Sequence, residues 1–431
     1  MSIGLIVFLL IFALIFFLRI RIPYGLMAAC LGYFLATGTN LKLVAQLSMS
    51  YLYNSFTMIA VPLFIFAANI MNEGEITERV FGVAKGLVGR FPGGLGHVNV
   101  LASLIFSGMT GSAVADAAGL GKMEIEAMRK EGYDDGFSCA ITAASAVIGP
   151  IFPPSIPMVI YSMISGASIG ALFMGGIIPG VLLAIALMIY VAFVSHKRNY
   201  PTSKIPNKQK YFHYLISSIP ALLTPVILLL GIYTGVVTAT EAGAIAGLYA
   251  LMVAVFGYHM MSRKQFINCV LDTIANSGAV LLTCGIAAVI NYIVAKEQIA
   301  TTMATWIMGV ISNKYSFLIL VNLVFLVLGM FIDTTVIQLV FVPLVIPMAQ
   351  QFGIDLVHLG LVLCYNMMIG LATPPYGGLL FITSTISRTP LQDVIKEMLP
   401  MLVPMLLVLL VITYIPEVVL VLPKVLMHYV G

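Results

Sequence analysis

Apolar runs, many of them near twenty residues, recur along the whole chain between short polar or charged connections. About 20 residues is the span a helix needs to cross the hydrocarbon core of a bilayer. The pattern predicts helices at Ile3–Leu18, Pro23–Leu35, Phe56–Met71, Ala171–Phe193, Ile216–Ile232, Glu241–Tyr258, Thr273–Ala295 and Met398–Ile415. Asn72–Phe91 and Thr301–Ile311 are predicted to lie along the membrane surface, the first because it alternates polar and apolar residues at helical spacing. Two stretches turn back on themselves: Leu95–Phe106 with Ala113–Leu120, and Phe317–Phe331 with Thr335–Ala349. They predict re-entrant hairpins at about 95–121 and 316–349. The charged run Lys122–Asp135 after the first returns the chain to the side it entered from. Two further helices, Gly136–Ser162 and Leu359–Ile386, are interrupted by Gly149-Pro150 and Pro153-Pro154, and by Gly370 and Pro374-Pro375. Proline removes a backbone donor and clashes with the preceding turn, so both are read as broken at membrane depth.

The stretch Phe106–Gly121, FSGMTGSAVADAAGLG, interrupts this apolar pattern with small residues and one aspartate. Non-helical backbone is tolerated in a membrane only where protein buries it or a cavity borders it. Its partner lies further along the chain. Gly108-Met109 recurs as Gly329-Met330, an offset of 221 (329 − 108), and Gly149 as Gly370, Pro153-Pro154 as Pro374-Pro375 and Pro179 as Pro400 share it. The chain is therefore read as an internal duplication. N-terminal scaffold helices occupy 1–54, a first repeat 55–196, a basic linker with connecting helices 197–275, and a second repeat 276–431.

Composition fixes the class. Of 431 residues 61% are hydrophobic and only 9% charged, which describes an integral membrane protein. In the first run the charges Arg19 and Arg21 follow the apolar residues rather than precede them, so it is read as a retained helix and not a cleaved signal. The five cysteines have no metal-ligand spacing and read as buried fillers. The net charge of +4 sits mostly in loops and does not suggest nucleic acid binding. Placing Arg19/Arg21, Arg79–Arg90, Lys197–Lys210, Arg263/Lys264 and Arg388/Lys396 on the cytoplasmic side is free of conflict. It gives ten crossings and two hairpins, with both termini outside and the hairpins entering from opposite faces. The fold class is thus an all-α polytopic membrane protein, an inverted-repeat secondary transporter with two re-entrant hairpins and two proline-broken helices.

In that architecture substrate and ions bind near the midplane, where half-helix amides favour anions and unwound carbonyls with hydroxyls coordinate Na⁺. Ser103, Ser107, Gly108, Thr110 and Ser112 supply hard oxygen ligands in the first hairpin. Gly329, Thr334 and Thr335 do so in the second, faced by Ser145 and Gly149 or by Gly370 and Thr373. Charge inside a bilayer is expensive and points to function. Asp116, in the return arm of the first hairpin, and Asp333, at the tip of the second, either coordinate an ion, hydrogen-bond a substrate, or cap their own hairpins. Lys296 either pairs with an anionic substrate or snorkels to water. Glu241, after Thr238 and Thr240, reads as a helix cap. Pro150, Pro153, Pro154, Pro374 and Pro375 mark the helix breaks.

Ser-Gly-Met-Thr-Gly-Ser at 107–112, Gly-Pro-Ile-Phe-Pro-Pro-Ser at 149–155, Thr-Glu-Ala-Gly-Ala at 240–244 and Gly-Leu-Ala-Thr-Pro-Pro-Tyr-Gly at 370–377 resemble the large membrane subunit of TRAP transporters (tripartite ATP-independent periplasmic transporters, DctM-like). The resemblance covers nearly the whole chain; Ala239 stands where many members have proline. It implies a sodium-driven, elevator-type importer of small carboxylates in the bacterial inner membrane, in contact with its lipid. It also implies two partners, a periplasmic substrate-binding protein and a small four-helix membrane subunit, here expected as a separate chain. By the same resemblance two or more Na⁺ ions are co-transported, and Ser112, Asp116, Ser155, Lys296 and Asp333 fall where substrate or ions are contacted. Sialic acid and C4-dicarboxylates are typical substrates, and the sequence leans toward the sialic acid branch. An ATP-driven pump is disfavoured, because Gly121-Lys122 is followed by Met123 and no phosphate-binding loop exists. The chain is not read as an enzyme; an intramembrane aspartyl protease would need its two carboxylates close enough to share a proton. A passive channel would conduct without a sodium gradient, and an ion-coupled carboxylate carrier could work with no binding protein.

Overall fold

The structure is a computed structural model that describes residues 2–18, 20, 22–72, 76–203, 207–311 and 313–430. Arg19, Arg21 and Lys204 lie outside the described residues. Helices alone make up the regular structure among the described residues.

The first five are α1 (Ile3–Leu18), α2 (Ile22–Ala36), α3 (Lys42–Asn54), α4 (Ala60–Asn72) and α5 (Ile76–Val88). Hydropathy does not predict α3, because Gln46, Ser48, Ser50 and Asn54 dilute its apolar residues below what a crossing requires. Next come α6 (Gly94–Thr110), α7 (Ala113–Lys130), α8 (Asp135–Ala146), α9 (Ile156–Ser165) and α10 (Ile169–Arg198). The arms of the first hairpin are thus longer than expected: the run beginning at Lys122 continues α7 as helix, since Lys, Glu, Met, Ala and Arg are all strong helix formers. Gly111 joins α6 to α7 in the left-handed conformation (φ 59°), and its N–H closes α6 on the Ser107 carbonyl.

Then follow α11 (Lys208–Tyr233), α12 (Ala239–Met252), α13 (Arg263–Lys296), α14 (Ile299–Val310), α15 (Lys314–Phe331) and α16 (Thr334–Gln351). Glu241 is the cap expected of it: Thr238 N–H donates to its carboxylate at 2.8 Å and its own N–H donates to Thr238 Oγ1 at 3.3 Å. The chain ends with α17 (Leu356–Leu371), α18 (Gly378–Ser387), α19 (Leu391–Tyr414) and α20 (Pro416–Met427). The last is a further helix beyond the apolar run that ends at Ile415; Pro416 sits at its first turn, where a missing N–H costs nothing.

The helices from α6 to α9 start at 94, 113, 135 and 156, and those from α15 to α18 start at 314, 334, 356 and 378, so their starts repeat within two residues of the 221 offset. The 34-residue α13 occupies the register of α3 and α4 together. Packing is crossed between the two sets: α7 lies on α8 and on α18, while α15 lies on α17 and α16 lies on α9. Each hairpin therefore rests on the first half of one broken helix and the second half of the other. This brings both breaks, 147–155 and 372–377, to the middle of the molecule. The bonds Pro153–Pro154 and Pro374–Pro375 are cis. Seven helices among the described residues are long and apolar enough to cross a membrane, including α15 and α16, and shorter apolar helices lie at Ile3–Leu14, Pro23–Ala36 and Ala60–Met71.

At one end Arg198 of α10 joins two carboxylates: its Nη2 donates to both oxygens of Glu397 of α19 at 2.9 Å, and its Nη1 donates to Asp134, which precedes α8, at 3.1 Å. A single exposed ion pair contributes little, but charges joined in a network contribute more. Replacing Arg198 by methionine, which keeps the apolar stem, is expected to lower thermal stability by about 1 kcal/mol. A melting curve in detergent at low and high salt checks this, because the loss should shrink as salt rises.

Candidate functional site

A cavity of about 960 Å³ opens where the two hairpin tips meet. One wall is the turn Thr110–Ala115, a second is Asp333–Val336, and Pro150, Ile156 and Pro157 border it from the first broken helix. Across from them stand Tyr24 of α2, Asn69 of α4, and Asn276 and Thr283 of α13. Three helix N-termini, those of α7, α9 and α16, therefore face one space. The first amides of a helix have no intrahelical acceptor, and with the helix dipole they form a ready site for an anion. Among the described residues that border the cavity no side chain is basic, and Asp333 is the one carboxylate.

The caps of these helices are built alike. Ser112 accepts from Ala115 N–H at 3.4 Å, Ser155 from Met158 N–H at 3.3 Å, and Asp333 from Thr335 N–H at 2.9 Å. Ser112 and Asp333 occupy equivalent places in the two hairpins, and both border the cavity with Thr110, Thr334, Thr335 and Pro150. Ser155 also donates to the Pro150 carbonyl and lies in a smaller void with Gly108 and Pro154, behind the tip.

The other predicted residues fall into three places. Ser103, Ser107, Asp116 and Ser145 are buried behind the first tip. Ser103 Oγ donates to Ser145 Oγ at 3.1 Å and Ser107 Oγ to the Leu104 carbonyl at 2.6 Å. Gly149 abuts the same tip, since a Cβ there would meet the Ser112 carbonyl at 3.3 Å. Gly329 and Gly370 touch each other where α15 crosses α17, and the Thr373 hydroxyl is spent on the Ile369 carbonyl at 2.6 Å. Lys296 is brought to neither hairpin. It is exposed at the end of α13, donates to Thr39 at 3.2 Å and lies over the Tyr33 and Tyr292 rings. These contacts describe a snorkelling lysine, and pairing with the substrate has no geometric support.

Asp116 is 1% exposed, and neither of its carboxylate oxygens accepts a hydrogen bond. It shares no bond with Asp333, which is exposed at the opposite tip. The paired carboxylates of an aspartyl protease are not assembled. The Ser103 hydroxyl lies beside the buried Asp116 carboxyl.

Sequence reasoning missed two buried members of this region. Asn99 of α6 and Glu124 of α7 are 0% and 1% exposed and joined at 2.7 Å. The signal was present, because residues 116, 120 and 124 share one helical face and the last of them had to point inward with Asp116. It was hidden by the charged neighbours Lys122, Glu126, Arg129 and Lys130, which read as a solvated run.

An all-helical membrane fold with two hairpin tips and two broken helices around one cavity defines a secondary transporter class. Comparison with known proteins agrees. The family described as the tripartite ATP-independent periplasmic transporter, DctM component, matches residues 7–418, and the chain belongs to it. It is 40% identical to the sialic acid TRAP transporter large permease protein SiaM of Vibrio cholerae, over 96% of this chain and 97% of that one. It is 39% identical to the sialic acid TRAP transporter permease protein SiaT of Haemophilus influenzae, over 97% of this chain and 68% of that one. The C4-dicarboxylate TRAP transporter large permease protein DctM of Pseudomonas aeruginosa is 33% identical, over 86% of this chain and 86% of that one. The crystal structure of the YdaH transporter from Alcanivorax borkumensis shares the fold, with a TM-score of 0.63, 15% identity and 86% of each chain covered. The protein is a multi-pass inner-membrane transport component, and its relatives are permeases.

Proposed function

We propose that this chain is the translocating subunit of a sodium-gradient-driven importer of a hydroxylated small carboxylate, sialic acid being the best candidate. The observation that carries the reading is the meeting of three helix N-termini and Asp333 in one cavity. The free first-turn amides of α7 and α16 suit the substrate's carboxylate, with α9 adding only that of Ile156, since Pro157 has no N–H and Met158 N–H donates to Ser155; no described basic side chain is there to do so. Asp333 repels a second carboxylate but accepts from hydroxyl groups, which favours a polyhydroxylated acid over a C4-dicarboxylate. The similarity to two sialic acid permeases supports the same choice. Two or more Na⁺ ions travel with the substrate, one of them at Asp116, with the hydroxyls of Ser103, Ser107 and Ser145 and backbone near Gly149 as its surroundings. Carbonyls at Gly329 and Gly370 belong to the second hairpin's ion region in this reading. A periplasmic binding protein delivers the substrate, a small membrane subunit docks on the exposed apolar helices, and opposed insertion of the hairpins with elevator motion provides alternating access.

Exchanging Asp333 for serine keeps a good N-cap and removes the charge. Uptake of radiolabelled sialic acid should then show a KM raised about tenfold, the scale of one hydrogen bond to a charged group. The sodium dependence should not change. An unchanged KM, or equal uptake of sialic acid and a C4-dicarboxylate by the unaltered protein, would remove Asp333 as the selector.

A further inference from the structure

Behind the first hairpin tip a chain of buried polar groups runs from Glu124 to Asp116. Asn99 Nδ2 donates to Glu124 Oε2 and to Thr142 Oγ1, both at 2.7 Å, so both amide hydrogens are used. Asn99 Oδ1 accepts from Ser145 Oγ at 2.7 Å, and Ser145 Oγ accepts from Ser103 Oγ at 3.1 Å. Thr142 is satisfied separately, its hydroxyl donating to the Ser138 carbonyl at 2.8 Å. Ser103 in turn faces the Asp116 carboxyl, yet neither oxygen of Asp116 receives a hydrogen bond.

The directions of these bonds are not free. A carboxylate only accepts, so Glu124 demands the NH₂ end of the Asn99 amide, and the reverse orientation would set two acceptors against each other. With the amide fixed, the Ser145 hydrogen is shared between its carbonyl oxygen at 2.7 Å and the Thr142 carbonyl at 3.1 Å, and the Ser145 oxygen accepts the hydrogen of Ser103. Every hydroxyl hydrogen in the chain points away from Asp116, and what remains toward Asp116 is lone pairs. Such a place cannot be satisfied by its own hydrogen bonds, and it suits a cation that needs oxygen ligands. The packing leaves no slack for another arrangement: a Cβ on Gly121 would lie 2.7 Å from Thr142 Cγ2.

We propose that Glu124 and Asn99 are positioning residues that polarise the Ser145–Ser103 hydroxyl chain and so keep the pocket at Asp116 acceptor-only, setting its affinity for a monovalent cation such as Na⁺. This rests on the reading of Asp116 as an ion ligand. Without the glutamate, both orientations of the Asn99 amide become acceptable; in the reversed one Ser145 donates to the Thr142 carbonyl and an amide hydrogen competes with Ser103 for the Ser145 oxygen, which lets Ser103 turn its hydrogen onto Asp116 in competition with the ion. Removing the Ser145 hydroxyl has the same consequence with no change of charge.

The test is a sodium titration of the purified full chain, read as thermal stabilisation by NaCl against choline chloride at constant ionic strength. Ser145→Ala is expected to raise the sodium concentration for half-maximal stabilisation about tenfold, and Glu124→Gln about threefold. Thr142→Ser keeps the acceptor for Asn99 and should leave the titration unchanged. A merely structural role would lower the melting temperature in choline and leave the sodium midpoint where it was. A sodium midpoint unmoved in the Ser145→Ala protein, while Asp116→Asn raises it about 100-fold, would overturn the proposal even if Glu124→Gln fails to fold. If Asp116→Asn itself leaves the sodium response intact, the ion reading of Asp116 fails instead.

Discussion

Exchanging Asp116 for asparagine should raise the sodium concentration needed for half-maximal uptake by roughly 100-fold, which corresponds to about 2.7 kcal/mol of lost ion binding. The side chain is isosteric, so the packing of α7 on α8 and α18 is kept. What changes is the charge, and the change has two opposite signs. In sodium-free solution the variant should melt at the same or a higher temperature than the parent, because an unpaired carboxylate enclosed among helices is a burden on the fold. In sodium the order should reverse, since a ligand stabilises the native state in proportion to the logarithm of its concentration over its Kd, and the variant has lost most of that gain. A capping or packing role for Asp116 predicts neither the reversal nor the shift in sodium dependence. Melting curves of both proteins in sodium and in choline separate the two.

The second large effect belongs to the glycine pair under the other hairpin. A Cβ on Gly370 would lie 2.7 Å from the backbone of Gly329, and backbone cannot swing aside as a side chain can. Small residues permit this approach, and α15 rests on α17 through it. Gly370→Val must push α15 off α17, at a cost of about 3 kcal/mol if overpacked helix contacts elsewhere are a guide. The expected result is a lower melting temperature and loss of uptake at every sodium concentration, unlike the Asp116 variant, which recovers as sodium rises. Gly309→Ala is the control: Gly309 lies in α14 with nothing within 4 Å, so alanine there should be neutral or slightly stabilising. Equal behaviour of the two glycine variants would contradict the close-packed seam.

These effects also show what the chain revealed before its fold was known. The hairpins and the broken helices were legible because proline and glycine interrupt apolar runs at a fixed offset, and no other pattern in a membrane helix imitates that. The arms of the second hairpin, α15 and α16, lie within three residues of where the apolar runs put them. Helix α3 was not legible, because its polar residues fall below a crossing threshold while tertiary contact with α13 sustains it. Asp116 and Asp333 stood out as charges in apolar or small-residue surroundings. Glu124 did not, since a glutamate among lysines and arginines looks solvated until the helix is seen to turn it inward. Lys296 shows the converse: a cation at a helix end left pairing with an anionic substrate or snorkelling open, but its position is decided by where α13 ends, and that is beside Tyr33 and Thr39 rather than at the tips. Sequence locates unusual residues well; which of two faces of a helix they occupy depends on packing.

Sodium-coupled, binding-protein-dependent import is tested most directly by uptake into proteoliposomes containing this chain with its small membrane subunit and its binding protein. Radiolabelled sialic acid is offered with an inward sodium gradient, with sodium equal on both sides, and with the binding protein left out. Concentrative uptake is expected only when the gradient and the binding protein are both present. Uptake that ignores the gradient, or that proceeds equally well without the binding protein, would contradict this mechanism and would favour a channel or a self-sufficient carrier.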